Sequence, residues 1–325
     1  MDWSESRILV TGGAGFIGSA LVRRLIALGA NVRVADNFSR GSKQNIQDVL
    51  NQIELQEVDL TKEDNCDNVC KDMDYVFHLA ASVGGIQFIN KENVGGLTPS
   101  IQMNTNMLES ARKNDIQRFV FTSSACIYRQ RSHELNQFKE LDAFPANPAT
   151  TYGWAKLLGE IQLKAYHDDY GLKGSSARIF NAYGERENLD PRWSHVIPSL
   201  IRKAILYPTE GYKMFGDGTQ ERAFLYVEDC VDGLLLFMEK LINAEIVNLG
   251  SDEVVSIRRL AEEVIKISGK NIKAEWDSKG PTGTYRYSAN QKEMIKLLQW
   301  KPQTSLSEGL NQTYQWARGV LNVQK

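Results

Sequence analysis

Three short stretches carry side chains suited to moving protons and hydride: Ser123-Ser124-Ala125-Cys126-Ile127-Tyr128, Tyr152-Gly153-Trp154-Ala155-Lys156 and Ser194-His195-Val196-Ile197-Pro198. Tyr152 and Lys156 are spaced i and i+4, so a helix sets them one turn apart on the same side. A lysine ammonium favours phenolate and draws a tyrosine down from its ordinary value of about 10. Tyr152 can then take a hydroxyl proton as hydride leaves the carbon. Ser124 is placed to hydrogen-bond the reacting oxygen, or simply to cap the next turn. Cys126 and His195 add a second acid/base pair, which a dehydrogenase alone does not need. The combination points to epimerisation through a transient ketone. The plainer alternatives are a buried thiol packing as a small hydrophobe and a histidine serving as a structural hydrogen-bonder.

Such chemistry needs a hydride carrier, and the N-terminal segment predicts where it sits. Ile8-Leu9-Val10 is a buried strand by pattern, and it ends in Thr11-Gly12-Gly13-Ala14-Gly15-Phe16-Ile17-Gly18 before an apolar-periodic run from Ala20 to Leu28. Gly12, Gly15 and Gly18 let the backbone turn tightly, approach a pyrophosphate and pack helix on strand, with the amides of Phe16 and Ile17 opening the helix. Asp36, followed by Asn37, ends the next strand, where a carboxylate can accept from a ribose diol. It would repel a 2′-phosphate, which favours NAD over NADP, although Arg40 is close enough to soften that preference. A bound cationic nicotinamide would further favour the Tyr152 phenolate. Asp59 and Leu60 are expected to flank the adenine, with Leu79, Ala80, Ala81 and Thr122 along the path to the nicotinamide.

Strand-like runs recur at Val32 to Ala35, Ile53 to Val58, Tyr75 to Leu79, Phe119 to Phe121 and Ser176 to Ile179, separated by helix-like segments such as Ile101 to Arg112 and Ala155 to Tyr166. That alternation predicts an α/β fold, a Rossmann-type doubly wound parallel sheet. The pattern loosens after Phe180, so we expect an NAD-binding domain over 1–179 and a smaller C-terminal substrate lobe over 180–325. A stretch of about 224–250, including Ile246 to Leu249, should return to the first domain.

The chain has 325 residues, 42% hydrophobic and 24% charged, with a net charge of -2 and no long basic run, which argues against nucleic acid or an anionic membrane as partner. It opens without a signal peptide and has no apolar run near the roughly 20 residues of a membrane span, so a cytoplasmic location is expected. Four scattered cysteines make no disulfide framework, and Cys66 and Cys70 lack a second ligand pair, so no metal site is expected.

Through Thr11 to Gly18, Asp36, Asn104, Ser124, Tyr152, Lys156, Arg178 to Gly184 and Arg222 to Val227, the chain resembles the extended short-chain dehydrogenase/reductase family. Within it, Gly84-Gly85-Ile86, the Ser123 to Tyr128 stretch and Asn248 to Glu253 resemble the GDP-mannose 3,5-epimerase branch, while Ser82 to Ile86 and Ser194 to Pro198 look more like GDP-fucose synthases. The resemblance implies a nucleotide-sugar substrate, with GDP favoured, and a hexose or heptose held in part by Gly84 and Gly85. It implies Cys126 as base and His195 as acid at C3 or C5 of a 4-ketone. By the same resemblance Asn181 and Arg222 meet the diphosphate, Arg286 a phosphate or ribose, and Val196, Lys203 and Phe215 the base. A homodimer built on a helix bundle including Ala155 to Tyr166 is also implied. Two departures stand out: Arg129-Gln130-Arg131 follows Tyr128 where these relatives continue with proline, and Asp36 suits NAD where the synthase takes NADPH. Two other functions stay open, a C4 dehydrogenase, reductase or epimerase in which Cys126 and His195 only bind the sugar, and a dinucleotide-sensing regulatory protein.

Overall fold

The computed structural model describes residues 1–82, 93–129, 137–277 and 286–321. Along the chain run β1 (Arg7–Thr11), α1 (Phe16–Ala27), β2 (Asn31–Asp36), β3 (Ile53–Glu57), α2 (Glu63–Cys70), β4 (Tyr75–His78), α3 (Asn93–Lys113) and β5 (Arg118–Ser124). Then follow β6 (Gln137–Phe138), α4 (Thr151–Tyr170), β7 (Gly174–Ile179), β8 (Ala182–Tyr183), α5 (Val196–Leu206), β9 (Lys213–Phe215), β10 (Glu221–Ala223) and β11 (Leu225–Tyr226). The last are α6 (Val227–Lys240), β12 (Glu245–Leu249), β13 (Val254–Ser256), α7 (Ile257–Ser268), β14 (Glu275–Asp277), β15 (Arg286–Ala289), α8 (Lys292–Leu298) and α9 (Leu306–Val320).

Seven strands form one sheet in the order β12-β7-β5-β4-β1-β2-β3, every neighbouring pair parallel. Strands covered by helices on both faces read as apolar runs, and Ile8, Leu9 and Val10 are fully buried. From β1 the chain winds outward through β2 and β3, then crosses back to β4. A crevice therefore opens at the carboxyl ends of β1 and β4, the switch point where doubly wound sheets bind ligands. The expected return of residues 246–249 is observed, with Val247 in register with Ala177.

Helix α3 begins well before Ile101, where apolar periodicity places it, and carries Pro99 inside. A proline cannot donate to the carbonyl four residues back, here that of Gly95. The Ser82 hydroxyl donates to that oxygen instead, at 2.8 Å, so the turn loses little. Helix α4 starts on Thr150, whose side chain accepts from Gly153 N, and stops at Gly171 in the left-handed region. A second sheet, β13-β10-β15-β6, sets Arg222 and Tyr287 opposite each other in register. Among the described residues, no helix is long and apolar enough to cross a membrane.

Candidate active site

The cradle at the β1–α1 turn is built by backbone proximity. Gly12 has φ +67°, and a Cβ there would come within 2.9 Å of the Ala80 backbone nitrogen. A Cβ on Gly18 would collide with the Gly12 carbonyl oxygen. Gly15 precedes α1 and has no side chain to cap it, which leaves the first-turn amides, including those of Phe16 and Ile17, to an anion. Asp36 is 8% exposed and held by the amides of Ala14 at 3.0 Å and Phe38 at 2.8 Å. Burial pushes its carboxyl up, and the two amides pull it back. Asn37 is exposed beside it, and the guanidinium of Arg40 lies 4.2 Å over the Trp193 ring. A dinucleotide fits these residues: the glycines bring β1, α1 and the Ala80 backbone close together, the uncapped amides at the start of α1 suit a pyrophosphate, and the Asp36 carboxylate suits a ribose.

Thr11 ties the cradle to the next strand. Its hydroxyl accepts from the amides of Leu79 and Ala80, both at 3.2 Å, and meets His78 Nδ1 at 2.8 Å. With Thr11 accepting twice, its proton is left for Nδ1, and His78 Nε2 donates to Asn104 Oδ1 at 3.1 Å. Asn104 in turn donates to the Ala155 carbonyl on α4. Burial pushes His78 down to about 3, with Lys156 adding to that effect, so the ring is neutral. Ala81 follows this hydrogen-bonded edge, half-buried, and Asp59 and buried Leu60 lie past β3, where Asp59 Oδ1 caps Thr61.

The structure brings Ser124, Cys126, Tyr152 and Lys156 into one cluster where β5 ends and α4 begins. The Ser124 hydroxyl accepts from Cys126 N at 3.1 Å, and it opposes the upward push that burial gives both the Cys126 thiol and the Tyr152 phenol. Gly153 permits this approach, since a Cβ there would collide with the Cys126 carbonyl oxygen. Lys156 donates to the Thr122 carbonyl at 2.7 Å, and its ammonium lies 5.8 Å from the Tyr152 ring centre. Beneath them Glu160, 1% exposed, accepts from both Nε and Nη2 of Arg178 and from Ser123. Arg178 also donates to the Tyr128 hydroxyl at 2.9 Å, which donates to Asn248 at 2.6 Å.

Burial governs the charges here. It lowers Lys156 to about 7, against the pull of Glu160 and Cys126. It raises the Cys126 thiol, which Ser124 and Lys156 draw back. Tyr152 departs from the lowered value that its lysine neighbour predicts: burial, reinforced by Cys126, pushes the phenol up, and only Ser124 opposes. Lysine lies beside the phenol as expected, but removal from water outweighs it while no second cation is bound.

His195 takes no part in the hydrogen bonds of that cluster. Its described partner is Glu187, whose Oε1 meets Nδ1 at 2.6 Å. Val196 opens α5 directly after it. Arg222 is half-buried, donates to the Glu221 carbonyl at 2.7 Å and acts on Tyr287, whose hydroxyl donates to the Ala125 carbonyl beside Cys126. Arg286 lies 3.7 Å from Glu221, and Asn181, at φ +41°, donates to the Ala223 carbonyl. Lys203 donates to the Lys213 carbonyl, and Phe215 is 63% exposed on the strand that begins there. Gly84 and Gly85 lie outside the described residues. His78, Glu160, Glu187 and Tyr287 are the site residues that the sequence did not single out, and Arg178 stood there only as part of the Arg178 to Gly184 resemblance; His78, one place before Leu79, was the one with a signal, a polar ring closing an apolar strand.

Residues 8–250 match the model of the NAD dependent epimerase/dehydratase family. The chain is 34% identical over 321 residues to GDP-mannose 3,5-epimerase 1 of Oryza sativa subsp. indica, spanning 98% of this chain and 83% of the relative. It is 30% identical over 322 residues to GDP-L-fucose synthase 1 of Arabidopsis thaliana, spanning 97% and 94%. Among solved structures it matches UDP-glucuronic acid 4-epimerase from Bacillus cereus in complex with UDP-glucuronic acid and NAD, at TM-score 0.85 and 29% identity, covering 97% and 99%. A glycine cradle, a buried Asp36 and a Ser124–Tyr152–Lys156 cluster on a seven-stranded parallel sheet thus coincide with a family match over most of the chain, and the protein belongs to the NAD dependent epimerase/dehydratase family as an NAD-using enzyme.

Proposed function

We propose that this enzyme is a redox-neutral epimerase of a GDP-linked hexose or heptose, acting at C3 or C5 through a transient 4-ketone. The observation that carries the proposal is the seating of Cys126 between Ser124, whose hydroxyl accepts from the Cys126 amide at 3.1 Å, and the first turn of α4, where Gly153 lies against the Cys126 carbonyl next to Tyr152, which sets a thiol beside the redox phenol. The GDP preference is supported by the two plant relatives, whose names specify GDP-mannose and GDP-L-fucose.

NAD, when bound, supplies the acceptor and later the donor of hydride at C4. Tyr152 takes the C4 hydroxyl proton, Lys156 stabilises the phenolate, and Ser124 holds the forming carbonyl. The ketone acidifies the hydrogens at C3 and C5. Cys126, as thiolate, removes one of them, and His195, as imidazolium, gives a proton to the opposite face. Return of the Tyr152 proton and of hydride at C4 restores the alcohol, and loss of the Cys126 proton to water with uptake of one from water by His195 resets the acid/base pair, so atoms and electrons balance over the cycle. Asn181, Arg222 and Arg286 are assigned to the diphosphate and ribose, and Val196, Lys203 and Phe215 to the base, with Gly84 and Gly85 against the sugar. Asp59, Leu60, Leu79, Ala80, Ala81 and Thr122 are assigned to NAD beside the glycine cradle. Incubation with GDP-mannose and a GDP-heptose in deuterated water tests the proposal: deuterium should enter C3 or C5 without net change in NADH. Cys126→Ser should cut that incorporation at least a hundredfold, and unchanged incorporation would remove the thiol from the base role.

A C4 oxidoreductase or C4-epimerase is the second reading. It is favoured by the burial that raises the thiol, and by the structural likeness to a 4-epimerase. Stoichiometric NADH change, or C4 inversion without deuterium at C3 or C5, would select it. The proposal also includes a cytoplasmic homodimer. Four free thiols, three of them buried, suit a reducing compartment. Trp154, Leu158 and Ile161 form an exposed apolar stripe on α4 at i, i+4 and i+7. Ile161→Asp should halve the mass measured by light scattering; an unchanged dimer would place the interface elsewhere.

A further inference from the structure

We propose that Glu187 is the positioning residue for His195, a buried carboxylate that grips Nδ1, fixes the tautomer and heading of the ring, and leaves Nε2 on its open side to carry the transferable proton. The inference rests on the reading of His195 as the acid of the epimerisation and deepens it.

The geometry is built for one contact. Glu187 is 5% exposed while the His195 side chain is 64% exposed, so a carboxylate inside the protein holds a ring at its surface. Eight residues separate them, and the chain between is folded back by its own turns. The Asn188 side chain accepts from Asp190 N at 2.8 Å, Asp190 Oδ1 accepts from Arg192 N at 2.9 Å, and the Asp190 carbonyl accepts from the amides of Trp193 and Ser194. Arg186, just before Glu187, sits at φ +68°, a conformation a non-glycine residue keeps only where its surroundings demand it. After the loop, His195 opens α5, its carbonyl accepting from Ser199 N at 3.1 Å. Both ends of the contact are thus fixed by backbone.

The second carboxylate oxygen, Oε2, is buried with no donor among the described residues. A buried anion with one oxygen unserved is costly, and the His195 proton is its compensation. The effect is mutual: Glu187 raises His195 above its ordinary value, and burial raises Glu187 while His195 draws it back. The other charges on neighbouring segments are engaged elsewhere. Arg192 pairs with Asp190, Arg186 lies near Asp48, Arg40 covers Trp193, and Lys203 of α5 binds the Lys213 carbonyl. Among the described residues Glu187 is the charged group acting on the ring.

The chain has four histidines, so ring titrations followed by NMR on histidine-labelled full-length protein can be assigned, with His195→Asn identifying the fourth. We expect the His195 midpoint in the wild type to lie above that of an ordinary histidine, and to fall by about one pH unit, a tenfold change in acidity, in Glu187→Gln. Glu187→Asp, which keeps the charge, should recover part of the shift. The alkaline limb of deuterium exchange into C3 and C5 should move down in Glu187→Gln by the same amount. In the His195→Asn background the Glu187 change should add nothing further. A His195 midpoint unmoved by Glu187→Gln would overturn the inference and leave the proposed function standing. A midpoint that moves while the limb stays fixed would overturn it from the other side, because His195 would then not be the acid.

Discussion

Where β5 meets α4, desolvation governs the proton-handling groups: Lys156 is 3% exposed, Cys126 and Tyr152 are half-buried, and burial is the largest influence on all three. Well after Lys156 in the chain, His195 stands mostly in the open, and the largest influence on it is a single hydrogen bond to Glu187. In the first region desolvation disfavours charge on every group, raising the phenol and the thiol and lowering the lysine to about 7; an additional cation would favour the phenolate and the thiolate and press the lysine further down. In the second, one fixed anion favours charge on one ring. The first arrangement suits a step that must wait for cofactor and substrate, and the second suits an acid that is ready beforehand.

The largest effect should come from the first region. Tyr152→Phe removes the proposed proton acceptor of the first step, and turnover should fall by about 10³ to 10⁴, with both transient reduction of bound NAD and deuterium exchange lost together. Loss of only one of these signals would mean that the two regions work independently. Next in size is Glu160→Gln, which leaves Arg178 buried without its bidentate partner. Breaking such a pair should cost roughly 3–5 kcal/mol in chemical denaturation. A cost below about 1 kcal/mol would mean that Tyr128 and the Glu140 carbonyl, which also hold Arg178, suffice on their own.

The two regions also differ in how much of them the sequence discloses. Strand, glycine turn and helix are local, so Gly12, Gly15, Gly18 and Asp36 could be placed before any fold was known. Tyr152 and Lys156 share one helix, and helical geometry alone brings them to one side. What joins them to Ser124 and Cys126 is a close approach through Gly153, which spacing cannot express, although the serine-rich strand end hints at it. Glu160 reads as an ordinary helix-surface glutamate, and only the crossing of β7 beneath it supplies Arg178. Glu187 was out of reach altogether, because its pairing depends on a chain of side-chain turns and on a positive φ at Arg186. The start of α3 was missed because Gly95, Gly96 and Pro99 argue against a helix, and the hydroxyl that offsets Pro99 comes from Ser82, outside the helix.

The smallest effect, and the sharpest contrast, lies in the pH dependence of stability. His78 is fully buried and neutral: the unfolded chain binds its proton below about 6.5, whereas the folded chain withholds it until about 3. Between those values unfolding takes up a proton, so stability falls as the pH is lowered, by at most about 1.4 kcal/mol per unit for this one group. His195 has the opposite sign. Its folded value is raised, so its contribution is complete below 6.5 and is lost as the pH rises through the folded value, and exposure of the ring keeps it small. Urea denaturation from pH 4 to pH 6.5 should therefore show a flatter acid slope in His78→Gln than in the wild type, whatever the variant's absolute stability. Parallel slopes would mean that the proton taken up on acid unfolding belongs elsewhere, and that the Thr11–His78–Asn104 chain tolerates a charged ring which its burial argues against.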